Sequence, residues 1–294
     1  MARYLDPKND LTFKRIFGEH PDLLISFLNA LMPLDPEHYI KEIEYLSPEQ
    51  VPDIPGKKNS IVDVKCKDKN GNMFIIEMQM FWTDDFMSRI LFNASKAYVR
   101  QLGKGQSYNQ LQPVYTLAIL NENFDNKTKK FYHRFQIMNS ENKKELIEGL
   151  EFVLIELPKF TSKNWGARKV AALWLRFLKE VNEDLTALPK KLAENEHIRQ
   201  AAELCEAIGF TPEELAAYDA YWDIISTEKT FREGTRREAL EEGEAKGKAE
   251  GKTETLESIV IEGNKNGFSF EQIQVLTKLT IEQIKEILKK HGLM

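Results

Sequence analysis

Apolar and polar residues change period several times along this chain, and the changes divide it into elements. From Ser60 to Met80, SIVDVKCKDKNGNMFIIEMQM, two runs rich in Val, Ile, Phe and Met, Ile61 to Lys67 and Asn72 to Met80, flank Asn70-Gly71. That dipeptide between strand-like runs predicts a β-hairpin. Side chains alternate faces along a strand, so Asp63 shares a face with Ile61 and Lys65, and Glu77 with Ile75 and Gln79. A two-residue Asn-Gly loop sets Asp63 opposite Met78, with its carboxylate on the other face from Glu77. A three-residue loop, Lys69-Asn70-Gly71 with a left-handed, bulged Gly71, sets Asp63 opposite Glu77. Carboxylates at paired positions repel unless a cation lies between them. The turn therefore decides the chemistry.

Before the hairpin, Asp10 to Gly18 reads as a helix capped by Asp10 or Asn9, with Phe13, Ile16 and Phe17 on one face and Gly18 closing it. Leu23 to Leu31 is a second helix stopped by Pro33, Ile40 to Leu46 a strand, and Ser47 to Pro55 a loop. After it, Thr83-Asp84-Asp85 opens a helix to about Leu102, with Phe86, Ile90, Leu91, Ala94, Tyr98 and Leu102 at helical spacing. The apolar run Pro113 to Leu120 suits a strand buried on both faces. Phe131 to Ile137 and Phe152 to Leu157 are further strands around a polar loop, Asn139 to Glu145. This succession is an α/β core over residues 1–160.

Residues 161–227 form a helical accessory region, helical throughout from about Asn164 to Glu228, in which Thr211-Pro-Glu-Glu214 joins an N-cap, a first-turn proline and a capping-box Glu. Residues 228–263 are charge-dense, with Gly243, Gly247 and Gly251 recurring every four residues. Glycine costs roughly 1 kcal/mol at a helix-interior position, so the row marks either a face where a second helix packs closely, making a homo-oligomer, or a solvated linker. Residues 264–294 carry two capping boxes, Ser269-Phe-Glu-Gln272 and Thr280-Ile-Glu-Gln283, each opening a short apolar-periodic helix. The pair has the proportions of a helix-turn-helix and equally of an assembly module.

Composition adds limits. The 294 residues leave room for one large domain and a smaller one. With 42% hydrophobic and 30% charged residues, and no apolar run of membrane-spanning length, the chain reads as soluble and non-membrane. MARYLDPKND lacks an apolar signal core, which places the protein in the cytoplasm. The two cysteines, Cys66 and Cys205, are too few for a disulfide framework or a zinc site and read as buried apolar groups. A net charge of −5 argues weakly against general nucleic-acid affinity and leaves a local basic stripe open.

The candidate chemistry sits in the hairpin. Asp and Glu are poor strand formers, yet Asp63 and Glu77 lie inside strong strand sequence. Two carboxylates and a neighbouring backbone carbonyl make a hard-oxygen site for Mg2+ or Mn2+, which activates water and neutralises charge on a phosphodiester. The competing explanation is a solvated polar face. Arg89, Lys96 and Arg100 form a candidate DNA-phosphate row on the following helix, against ordinary solvated charges. Asp10 and Lys14, four apart, read as a cap and a solvated lysine, and Tyr98 and Tyr108 as core residues. No histidine pair, phosphate-binding glycine loop or nucleophile elbow is present in the sequence.

Taken together, Asp10-x-x-Phe-Lys14 ending in Phe17-Gly18, Phe27-Leu-Asn-Ala30, Asp63, Gly71, Ile76-Glu-Met-Gln79, Arg89, Tyr98 and Gly105-x-x-Tyr108 resemble the recombination-promoting nuclease and transposase family of the PD-(D/E)XK nuclease superfamily. The resemblance covers roughly Met1 to Phe160. It implies a restriction-endonuclease-like core, a mixed sheet flanked by helices, followed by a helical C-terminal region. It also implies metal-dependent DNA endonuclease activity linked to recombination or mobile elements, with Asp63 and Glu77 as ligands of Mg2+ or Mn2+. Gln79 stands where the superfamily motif usually has lysine. An amide orients water without supplying positive charge, which leaves Lys65 or Lys14 to supply it. The alternative is a catalytically degenerate DNA-binding or assembly protein acting through its C-terminal helices.

Overall fold

The computed structural model describes residues 3–50, 60–161 and 169–294. It divides into two compact units, Met1–Asp223 and Ile224–Met294. Helix α1, Asp10–Glu19, is capped by Asn9, whose side-chain oxygen accepts from the Leu11 amide at 2.9 Å; it runs one residue past Gly18. Helix α2, Pro21–Leu31, starts on a proline, whose fixed φ and missing N–H suit the first turn. Phe13, Ile16 and Phe17 of α1 and Leu24, Phe27 and Leu28 of α2 are buried together, and the Phe17 and Phe27 rings stand 4.3 Å apart.

The main sheet has six strands: β1 (Ile43–Tyr45), β4 (Val64–Asp68), β5 (Met73–Gln79), β6 (Val114–Leu120), β8 (Leu146–Glu156) and β7 (Tyr132–Met138), in that spatial order. β5, β6 and β8 are parallel; β1, β4 and β7 run antiparallel to their neighbours. The β5–β6 crossover is made by α3, Phe86–Val99, as a parallel pair requires. Its Phe86, Ile90, Ala94 and Ala97 pack with Ile75, Ala118 and Leu154 on one face of the sheet. On the other face, α1, α2 and α4 (Lys169–Glu180) bury Phe74, Ile76, Leu117, Ile119 and Val153. Thus β6 is covered on both sides, as its unbroken apolar run predicts. This is the α/β, helix-flanked mixed sheet that the resemblance implies.

The hairpin takes the three-residue loop. Val64 pairs with Ile76, Lys65 with Ile75, Cys66 with Phe74 and Lys67 with Met73. The Asp68 amide donates to Asn72 O at 3.0 Å and the Gly71 amide to Asp68 O at 3.1 Å, with Gly71 at φ 87°. Asp68 closes the turn, its Oδ1 accepting from the amides of Asn70 and Asn72 at 2.8 and 2.9 Å. One correction concerns the first strand, read from the sequence as continuous from Ile61 to Lys67. Ser60–Ile61 (β3) instead pairs with Glu49–Gln50 (β2) in a separate two-stranded sheet, and the chain bends at Asp63 before β4 begins. The loop read over Ser47 to Pro55 therefore contains β2, and its residues 51–55 lie outside the described residues.

The region beyond Pro158 is helical with intervening turns rather than helical throughout: α4, α5 (Lys190–Ala193), α6 (Glu196–Glu203) and the start of α7 (Pro212–Lys265). Residues 164–168 lie outside the described residues. Trp174, Leu175, Phe177 and Leu178 of α4 join the main core, so this region completes the first unit. The capping box at α7 is made: the Thr211 amide donates to Glu214 Oε2 at 2.8 Å, and the Glu214 amide to Thr211 Oγ1 at 3.2 Å.

In the second unit the segment 228–263 is helix, not linker, and a Cβ on Gly243, Gly247 or Gly251 would meet nothing within 4 Å. Helices α8 (Phe270–Thr277) and α9 (Ile281–Lys290) each form both hydrogen bonds of their predicted capping boxes. Their Ile273, Ile284 and Leu288 bury Val260 of α7, and Lys290 Nζ reaches Glu257 Oε1 at 2.9 Å. Among the described residues no helix is long and apolar enough to cross a membrane.

Candidate active site

Parallel strands β5, β6 and β8 end at one edge of the sheet, where open α/β sheets place their ligands. The ladder ends at the Val64–Ile76 pair, and Asp63 and Glu77 are the next residues outward on the two arms of the hairpin. The bend at Asp63 frees its carboxylate from the ladder, and Oδ2 accepts from the Met78 amide at 2.6 Å. Glu77 is 6% exposed. Its Oε1 accepts from Asn93 Nδ2 at 3.1 Å, and its Oε2 lies 3.6 Å from an Arg89 nitrogen. Gln79, two residues on, donates through Nε2 to Phe81 O and accepts at Oε1 from Arg89.

Helix α3 supplies one side of the site. Arg89, Asn93, Lys96 and Arg100 recur at spacings of four, three and four, so they line one face. Arg89 and Asn93 reach Gln79 and Glu77, and the Lys96 ammonium donates to Gln50 O. Burial pushes the Lys65 ammonium down from its ordinary value, with Arg100 and Lys96 adding to the effect. Lys65 therefore joins the basic row.

Helix α1 supplies the other side. Lys14 pairs with Asp10 at 2.8 Å, and both act on Asp63 across the gap. Burial pushes the Asp63 carboxyl up to about 7; the Met78 amide opposes this, Glu77 and Asp10 push further up, and Lys14 pulls down. Burial likewise raises Glu77, opposed by Arg89 and Asn93. Tyr221 of α7 faces the same space, its phenol raised by burial and then by Asp10 and Asp63. A cavity of about 340 Å3 lies between Asp10, Lys14, Glu214 and Tyr221.

At the level of Gln79, Leu120 and Glu156 continue the row across β6 and β8. Glu156 is fully buried; Oε1 accepts from Lys159 Nζ at 2.8 Å and lies 2.8 Å from His133 Nε2, while Oε2 accepts from the Phe124 amide at 3.0 Å. This polar knot ties loop 121–131 to the sheet. Phe124 then stacks on Trp82, with ring centroids 4.9 Å apart.

The structure brings Asp63, Glu77, Gln79 and Arg89 together, with Lys14 near Asp63, and sets Lys65 with Lys96 and Arg100. Tyr98 packs in the α3 core, whereas Tyr108, read as core, is 84% exposed because it lies in the short turn before β6. Cys66 and Cys205 are buried free thiols. Asn93 escaped the sequence reading although it falls in the helical row between Arg89 and Lys96. Tyr221 carried no sequence signal. Among the described residues no group of three or more His, Cys, Asp or Glu converges closely enough to hold a metal ion.

The family model of the PD-(D/E)XK nuclease family transposases matches residues 7–229. The chain belongs to that family. No curated protein and no solved structure matches it. Membership in the PD-(D/E)XK nuclease family transposases gives the first unit a nuclease-like or transposase-like role. The match also runs into α7, so it takes in the helical region that completes the core.

Proposed function

We propose that this PD-(D/E)XK family member is a Mg2+- or Mn2+-dependent DNA endonuclease. The observation that carries the reading is the Asp63 carboxylate, one residue beyond the Val64–Ile76 pair, held by the Met78 amide next to Glu77 at the carboxyl edge of β5. The donor set fits a small hard cation: two carboxylates and the intervening Met78 carbonyl, with water completing the shell. A cation held there supplies an activated water and neutralises phosphate charge. Asp63 and Glu77 would hold it; burial raises both carboxyls, Asp63 to about 7, so protons compete with a cation for the site. The Met78 amide and Asn93 fix the two carboxylates, and Gln79 orients groups beside them. Lys14 adds positive charge next to Asp63, while Lys65, Lys96 and Arg100 carry the DNA backbone away from the site. Incubation with supercoiled plasmid and Mg2+ or Mn2+ tests this: wild type nicks, and Asp63→Ala and Glu77→Ala do not. Equal nicking by all three would sink the assignment.

A second reading rests on the second unit. The α8–α9 pair, joined through a left-handed Lys278 at φ 59°, has helix-turn-helix proportions. In that reading the core is degenerate and the C-terminal helices bind DNA or assemble the protein. Unchanged DNA affinity after removal of residues 264–294 excludes them from DNA recognition.

A further inference from the structure

Phosphodiester hydrolysis bonds a water oxygen to phosphorus as the P–O bond to the leaving sugar breaks. One water proton departs to solvent, and the leaving oxygen takes a proton from solvent. Negative charge gathers on the non-bridging oxygens meanwhile, and a preorganised cation beside them lowers the barrier. Two buried carboxylates alone oppose that charge. The site needs a side-chain cation that is fixed, desolvated on one side and open on the other.

Among the described residues, Arg89 is the cation in contact with both Glu77 and Gln79. Its guanidinium is seated from three directions. Gln79 Oε1 accepts from it, Glu77 Oε2 lies 3.6 Å away, and the Phe86 ring lies 4.9 Å beneath it. Gln79 is held in turn, because its Nε2 donates to Phe81 O. The amide is therefore a fixed bracket for the arginine. Yet the Arg89 side chain remains 41% exposed, and a guanidinium has five N–H donors in a rigid fork that matches phosphate oxygens. The other nearby cations are otherwise placed: Lys14 pairs with Asp10 on α1, and Lys65 stands with Lys96 and Arg100 further along the strand.

We infer that Arg89, bracketed by Gln79, is the catalytic cation that contacts the scissile phosphate in the proposed cleavage. This rests on the endonuclease reading and names the charge that the neutral Gln79 does not supply. Position 79 lies beside Glu77 on the same strand face, so a lysine there returns an ammonium to nearly the same place.

The test uses the full-length protein and compares wild type, Arg89→Met, Arg89→Lys, and Arg89→Met combined with Gln79→Lys. Single-turnover cleavage rate, duplex affinity, and Mn2+ affinity of the DNA-free protein are each measured, with circular dichroism to check folding. Arg89→Met is expected to slow cleavage by about 10²–10³-fold, with Mn2+ and duplex affinities within about threefold of wild type. Arg89→Lys is expected to retain part of the rate, and Gln79→Lys to recover at least tenfold in the Arg89→Met background. Cleavage unchanged in Arg89→Met, a loss matched by lost Mn2+ or duplex affinity, or no recovery in a folded double variant overturns the inference alone. A wild type that cuts DNA with neither cation overturns the endonuclease reading, and the Arg89 role with it.

Discussion

Replacing Asp63 by Asn removes a charge the fold holds at a cost. In the folded chain the Asp63 carboxyl is pushed up to about 7 from an ordinary 3.8, chiefly by burial. A group raised on folding stabilises the protein below its unfolded value, and that contribution is lost as pH climbs through the folded value. The window here runs from 3.8 to about 7. Full ionisation across it corresponds to about 4 kcal/mol, reduced to about 2–4 kcal/mol because Asp63 is partly exposed. Asparagine keeps an oxygen to accept the Met78 amide and carries no charge. Asp63→Asn should therefore be more stable than wild type by about 2–4 kcal/mol at pH 8.5 in EDTA, roughly 4–16 °C in Tm, with the difference shrinking towards pH 4. Tryptophan fluorescence during urea unfolding reads this out, since all four tryptophans precede Asp223 in the first unit. Added Mg2+ should close the gap by stabilising wild type alone. Parallel pH dependence in the two proteins, or a less stable variant at pH 8.5, would refute the reasoning.

Other perturbations test other parts of the account. Glu156→Ala leaves Lys159, His133 and the Phe124 amide without their shared buried acceptor and should cost about 3–5 kcal/mol in urea unfolding. Gly71→Ala places a Cβ at φ 87°, 3.0 Å from Gln112 Cγ, and should cost about 1–2 kcal/mol in the same assay while cleavage falls with the hairpin register. Exchanging Lys96 and Arg100 for Ser should lower the slope of log affinity against log salt by about 2 for duplex DNA, measured by anisotropy. Alanine at Gly243, Gly247 and Gly251 should raise the helix melting temperature, each contributing up to about 1 kcal/mol; a lower melting temperature would mean that a second copy packs on that face.

The hairpin was legible in the sequence because its turn offers few solutions. Asn70-Gly71 alone favours the two-residue loop, and only the demand that Asp63 meet Glu77 picks the three-residue one. The capping boxes at Thr211, Ser269 and Thr280 were readable for a similar reason, since each is closed by residues three apart. What escaped is non-local. The strand break at Asp63 depends on β2 drawing Ser60 and Ile61 into another sheet, although the apolar alternation continues through it. Tyr221 faces Asp63 only because α7 returns to α1, where the Tyr218 hydroxyl accepts from the Asp6 amide at 2.9 Å. The sequence leaves long helix and linker evenly balanced because the glycines count against a helix, while its ion pairs, such as Arg232 with Glu228 at 2.6 Å, are individually weak.

The most direct test of the central claim is anomalous scattering from crystals soaked in Mn2+. A manganese peak is expected between the carboxylates of Asp63 and Glu77 beside the Met78 carbonyl, with its loss in Asp63→Asn. A soak that leaves this position empty while manganese binds elsewhere, or a peak that persists in the variant, would contradict it.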